Sequence, residues 1–196
     1  MSSPDLTILV IDENTIRASV IEAGLHAAGH RNVTVIHEVL GVARHIERLM
    51  PDVIVIDLEN PNRDMLESMF QLSRTVKRPI AMFVDRSDEG MIEAAVDAGV
   101  SAYVVDGLRK ERVKPILDMA ISRFNAFSRM ARELADARSE LENRKVVERA
   151  KGILMKSKGM SEDDAYRLLR STAMKQNRKI AEIAQSLVMT AAMLED

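Results

Sequence analysis

Residues 6–14 read LTILVIDEN, and residues 53–61 read VIVIDLENP. Each is a continuous β-branched run closing on acidic side chains. Such runs are too uniformly apolar for strands with one wet face, and they predict strands covered on both faces. Three further runs, NVTVI (32–36), PIAMFV (79–84) and AYVV (102–105), have the same character. Amphipathic stretches lie between them, for example Ile16, Val20, Ile21 and Leu25 at helical spacing. Strand and helix alternating five times imply an α/β domain, a parallel sheet wound on both sides. In such sheets the functional crevice lies beyond the carboxyl ends of the strands.

The rest of the chain has a different grammar. All five prolines stand at or before Pro115, and only Gly152 and Gly159 of the eight glycines follow Gly107. The carboxyl-terminal part is therefore expected to be nearly all helix. A long helix starts near Arg109, with Pro115 in an early turn. Its apolar residues form a heptad: Leu117, Phe124 and Ala131 at one position, Ala120, Phe127, Leu134 and Leu141 at the other. This spacing predicts a parallel coiled-coil homodimer, the competing reading being a helix packed back on its own domain. After Arg144 three shorter helices are expected. The first ends at Gly159, the second is capped by Ser161 with Asp164 three residues on, and the third follows Asn177 as N-cap. The third carries the stripe Ile180, Ile183, Ala184, Leu187 and Val188. Tyr166, in step with Leu169 and Ala173, is expected in the core. The resulting divisions are a domain over 1–123, a connecting helix over 109–145 that overlaps it, and a three-helix module over 146–196.

The chain of 196 residues has 28 basic and 30 acidic side chains, no cysteine and no tryptophan. Absence of cysteine excludes a disulfide scaffold, a Cys-ligated zinc and a thiol nucleophile. No apolar run reaches the ~18–20 residues of a membrane span, and MSSPDLTILVIDEN is no signal peptide, so a cytoplasmic protein without membrane contact is expected. The net charge of −2 argues against a nucleic-acid partner only if it is evenly spread. It is not: residues 144–179 sum to +7 and the remainder to −9. A compact helical module of that charge has the electrostatic footprint of a nucleic-acid binder. Arg178 and Lys179 stand where the third helix starts, a place that disfavours cations but suits a visiting phosphate. On the first of the three helices Ala150, Ile153 and Leu154 mark the apolar side, which leaves Arg149 and Lys151 outward.

Asp12 and Glu13 follow the first strand and Asp57 ends the third. In the flavodoxin-like strand order those strands are neighbours, so the three carboxylates converge and suit Mg²⁺. An Asp beside such a metal can accept a phosphoryl group. Here the sequence resembles the response-regulator receiver domain, over roughly residues 5–123, on IDEN (11–14), VIVIDLENP (53–61) and GVSAY (99–103). The resemblance implies that Asp12 and Glu13 are the metal-binding acid pair and Asp57 the phosphoacceptor. Two positions depart from it. Val84 stands where receivers have Thr or Ser, and Asp106–Gly107 where they have Lys–Pro. Asp85 adds a further negative charge, and Ser87 offers a hydroxyl three residues late. The acceptor is retained without its switch machinery, which points to a receiver used for docking.

From Val146 to Val188 the chain resembles the ANTAR domain of RNA-binding antiterminators, on ERAKGILMKSKGMSEDDAY (148–166), LLRSTAM (168–174) and QNRKIAEIAQSL (176–187). That resemblance implies binding to two paired hairpins in a leader RNA, so that a terminator does not form. It names Arg149, Lys151, Gly152, Arg170, Met174, Asn177 and Arg178 as the RNA face. The whole arrangement is similar to the NasT family of nitrate and nitrite assimilation antiterminators more than to the AmiR type. The family relation implies a nitrate-sensing protein partner and no enzymatic activity beyond phosphorylation of Asp57. The alternatives are a phosphorylation-switched regulator with DNA-binding output, and an interaction protein whose basic end docks on an acidic partner. His26 and His30 lack an acid at ligand spacing and are read as helix-end packing, and the 13 methionines as core.

Overall fold

A computed structural model describes residues 6–38, 41–59, 61–105 and 109–194. The strands are β1 (Ile8–Asp12), β2 (Val33–Ile36), β3 (Val53–Leu58), β4 (Ile80–Val84) and β5 (Ala102–Val105). The helices are α1 (Thr15–Ala27), α2 (Val42–Leu49), α3 (Arg63–Thr75), α4 (Glu89–Asp97), α5 (Lys110–Lys158), α6 (Glu162–Lys175) and α7 (Ile180–Leu194). All neighbouring strands are parallel, in the order β2-β1-β3-β4-β5. This is the doubly wound order expected from the alternating runs, with a switch point where β1 and β3 adjoin.

Residues 1–128 and 129–196 form two compact units. In the first, α2, α3 and α4 cover one face of the sheet through Val42, Ile46, Leu66, Met69, Phe70 and Ala95. On the other face α1 and the start of α5 pack through Ile21, Leu25, Val113, Leu117 and Ala120 against Ile8, Val10 and Phe83. β1, β3 and β4 are buried along their whole length, as two-sided cover requires.

Two amphipathic readings change. On α1 the buried stripe is Ala18, Ile21 and Leu25, while Ile16 is 77% exposed and Val20 is also exposed. At 3.6 residues per turn Ala18 shares a face with Ile21, and Ile16 and Val20 fall opposite. On α5, Leu117 and Ala120 lie in the sheet's own core and not in a free seam. The exposed apolar seam begins beyond them, with Phe127 63% exposed and Leu134 and Leu141 exposed as well. Phe124 is half-buried and Ala131 exposed.

In the second unit the expected first short helix is no separate element. α5 runs without interruption from Lys110 to Lys158. It stops at Gly159, whose φ of 63° is the left-handed geometry that ends helices, with its N–H donating to the Met155 carbonyl. Ser161 caps α6: its Oγ accepts from the Asp164 N–H and donates to Asp164 Oδ2. The core is small and alanine-rich, built from Ala150, Leu154, Ala165, Leu169, Ala173, Ile183 and Ala184. Asn177 is not the N-cap of α7. Its φ of 51° closes α6, its N–H donating to the Met174 carbonyl and that of Arg178 to the Ala173 carbonyl. Among the described residues no helix is long and apolar enough to cross a membrane.

Candidate functional site

The strand-end pocket is built on the β1–β3 register, in which Asp12 and Asp57 are paired. Both are buried, at 2% and 1% exposure. Asp12 Oδ1 accepts the Asn14 N–H at 2.8 Å, and Oδ2 has no hydrogen-bond partner. Asn14 in turn caps α1, its side chain accepting from the Ile16 and Arg17 N–H groups. This cap fixes the first turn of α1 over the strand ends and delivers Arg17 into the pocket. The Arg17 guanidinium spans two carboxylates. Nε donates to Asp57 Oδ2 at 3.0 Å and Nη2 to Asp57 Oδ1 at 2.5 Å. Nη1 donates to both oxygens of Asp85, at 3.0 and 2.9 Å. Arg17 is not among the residues that the sequence pattern points to at this site, whereas Glu13, which is, is exposed.

Burial pushes the Asp12 carboxyl up to about 6, only partly offset by the Asn14 N–H, and the neighbouring Asp57 adds to the rise. Burial also raises Asp57, and the Arg17 hydrogen bonds offset part of that. For Arg17, burial works against the charged form. Its bonds to Asp57 and Asp85 outweigh this and hold the guanidinium well above its ordinary value. We take the Arg17–Asp57 pair to be an ion pair at neutral pH, because both Asp57 oxygens accept charge-assisted bonds in fork geometry.

The second surface is the basic one. Arg149, Gly152, Arg170, Met174, Asn177 and Arg178 are exposed. Lys151 is not: it is 8% exposed, and its Nζ donates to Glu162 Oε1 at 2.6 Å and pairs with Glu148 Oε1 at 2.9 Å. Its position beside Leu154 lets the aliphatic stem bury while the ammonium reaches the start of α6. The bonds to Glu162 and Glu148 raise the Lys151 pKa, and Lys151 lowers that of Glu162. Tyr166, expected in the core, is exposed, while Leu169 and Ala173 are buried. Tyr166, Arg170 and Met174 therefore make one exposed ridge at i, i+4 and i+8 on α6. Arg178 Nε donates to Glu182 Oε2 at 3.1 Å.

Compared with known proteins, residues 8–118 match the response regulator receiver domain and residues 135–188 the ANTAR domain. The chain belongs to the response regulator receiver family. With its ANTAR domain it is of the antiterminator regulator type. It is similar to the transcriptional regulatory protein PdtaR of Mycobacterium tuberculosis, 29% identical over 187 residues, covering 95% of this chain and 91% of that protein. It is also similar to the nitrate regulatory protein of Klebsiella oxytoca, 34% identical over 80 residues, 41% of this chain and 20% of that protein. The receiver fold resembles a CheY-like receiver domain protein from Methanospirillum hungatei, with a TM-score of 0.53 at 14% identity, over 61% of this chain and 95% of that one.

The family implies a Mg²⁺ ion in the receiver pocket, and the residues present fit it poorly. Asp12 Oδ2, buried and unpartnered, is a free donor. Both oxygens of Asp57 and of Asp85 are engaged by Arg17, and among the described residues no three His, Asp or Glu side chains converge to hold a metal. With Arg17 in place the donor set does not fit a hexacoordinate dication, which needs several free oxygens. Of the two departures, Val84 is fully buried in β4. Asp106–Gly107 lies outside the described residues. The Ser87 hydroxyl does not substitute at the pocket: Tyr103 donates to it at 3.0 Å, and it donates to the Asp88 carbonyl.

Proposed function

We propose that the protein is a transcription antiterminator that binds paired hairpins in leader RNA through its ANTAR domain and so prevents a terminator from forming. The observation that carries this reading is the exposed Tyr166–Arg170–Met174 ridge on a segment of charge +7. RNA readers stack unpaired bases on aromatic rings and Arg planes, and Tyr166 with Arg170 supplies one of each. Arg149, Gly152, Asn177 and Arg178 extend the same function. Gly152 supports it separately. A glycine in mid-helix costs about 1 kcal/mol relative to alanine, yet a Cβ there would meet nothing within 4 Å. Packing within the chain does not require the glycine, whereas close approach of a nucleic-acid backbone would.

The similarity to a nitrate regulatory protein supports control of nitrate and nitrite assimilation genes, with a nitrate-sensing protein as the partner of the receiver. The exposed seam of Phe127, Leu134 and Leu141, with Ala131 and the half-buried Phe124, supports a parallel coiled-coil homodimer. Asp57 keeps the acceptor position. Its engagement by Arg17 favours a receiver that responds to docking.

The test is a gel shift with a two-hairpin leader RNA and a matched duplex DNA across a salt series. RNA binding is expected to weaken steeply with salt, by counterion release, and to exceed DNA binding. Gly152→Ala is expected to stabilise α5 by about 1 kcal/mol while weakening RNA binding. Equal affinity for the duplex would favour DNA-binding output, and no nucleic-acid binding would favour an acidic protein partner.

A further inference from the structure

The Arg17 bridge is the feature that the RNA-binding reading leaves unexplained. We propose that Arg17 is the resident cation of the receiver pocket, occupying the place of a divalent ion, and that the pocket takes up a metal only when Arg17 is displaced. Three observations carry this. The guanidinium engages all four oxygens of Asp57 and Asp85, from one side chain on α1. Its backbone is fixed by the Asn14 cap, and the Asn14 N–H is itself tied to Asp12 Oδ1. The remaining oxygen, Asp12 Oδ2, is buried without a partner, a cation-binding atom that Arg17 does not serve.

The charge balance agrees. Asp12, Asp57 and Asp85 bring three carboxyl groups to the strand ends, and Arg17 offsets one negative charge. A dication entering beside Arg17 meets a like charge roughly 5 Å away, which opposes binding by well over tenfold at an effective dielectric of about 20. It must also share oxygens whose lone pairs already accept N–H bonds. The Arg17 side chain is 22% exposed, so it has a path out to solvent. Its departure would remove the link from α1 to Asp57 and Asp85, while Ile21 and Leu25 keep the helix packed on the sheet.

The experiment is a Mn²⁺ titration of the full chain at neutral pH, read by loss of the free-ion electron paramagnetic resonance signal. The proteins compared are wild type, Arg17→Ala, Arg17→Gln and the double variant Arg17→Ala/Asp57→Asn. Circular dichroism establishes which variants are folded, and Arg17→Gln keeps much of the length of the side chain if the alanine variant fails. The folded single variants are expected to bind Mn²⁺ at least about tenfold more tightly than wild type, and the double variant to lose that gain. Equal affinity of wild type and the single variants would overturn the proposal. So would a gain that survives removal of the Asp57 charge, because the ion would then be bound elsewhere.

Discussion

The substitution Asp12→Asn should make the receiver more stable at neutral pH, an unusual outcome for changing a buried polar residue. The folded protein holds the Asp12 carboxyl at about 6, against an ordinary value of 3.8, with burial the main cause. Between those two values the native state binds a proton that the unfolded chain releases. Stability therefore falls as pH rises from about 4 to 6, and the full cost is present above 6. Two pKa units at about 1.4 kcal/mol each set an upper figure near 3 kcal/mol. The new amide would keep an oxygen for the Asn14 N–H but would bury an NH₂ group where Oδ2 now has no partner. Leaving that group unpaired costs about 1 kcal/mol or more, so a net gain of roughly 1–2 kcal/mol is expected. Urea unfolding followed by circular dichroism, at about pH 7.5 and about pH 4, is the assay. The gain should appear at the higher pH and vanish at the lower. Asp57, raised in the same direction, leaves a residual slope in the variant. A variant no more stable at neutral pH, or equally stabilised at both, would refute the reasoning.

Further outcomes separate residues that look alike in sequence. Leu117→Ala should cost about 2–5 kcal/mol of folding stability in urea unfolding, since Leu117 is 1% exposed in the sheet core. Leu134→Asp should change folding stability by less than about 0.5 kcal/mol in the monomer yet abolish the proposed coiled-coil dimer on sedimentation, because its side chain is exposed in the single chain. Lys151→Met should leave the salt slope of RNA binding unchanged, because its ammonium is already held by Glu162 and Glu148. Arg178→Ala should instead reduce that slope by about one, as expected for a lost phosphate contact.

The parts of the molecule that could be read from sequence are those governed by one local rule. β3 is apolar on both faces because both are covered, so VIVID declared a buried parallel strand without tertiary information. Gly159 and Ser161 mark the α5–α6 turn for the same reason: a left-handed cap and a side-chain cap are decided within three or four residues. Periodicity misleads where a residue sits at the border of an apolar stripe and a distant partner decides its direction. Lys151 borders Leu154, and Glu162, eleven positions on, draws it inward together with Glu148. Tyr166 fits the α6 stripe by spacing, but the core is lined from α6 by Ala165, Leu169 and Ala173, and Tyr166 lies at their exposed border. Arg17 is the clearest case, because its partners are 40 and 68 residues away. A signal for it did exist. Three strand-end carboxylates, with Asp106 at the position where receivers carry lysine, require a cation from elsewhere, and Arg17 is the basic residue in the first turn of the helix that Asn14 caps above them. Charge balance at the strand ends would have found it, where helical periodicity could not.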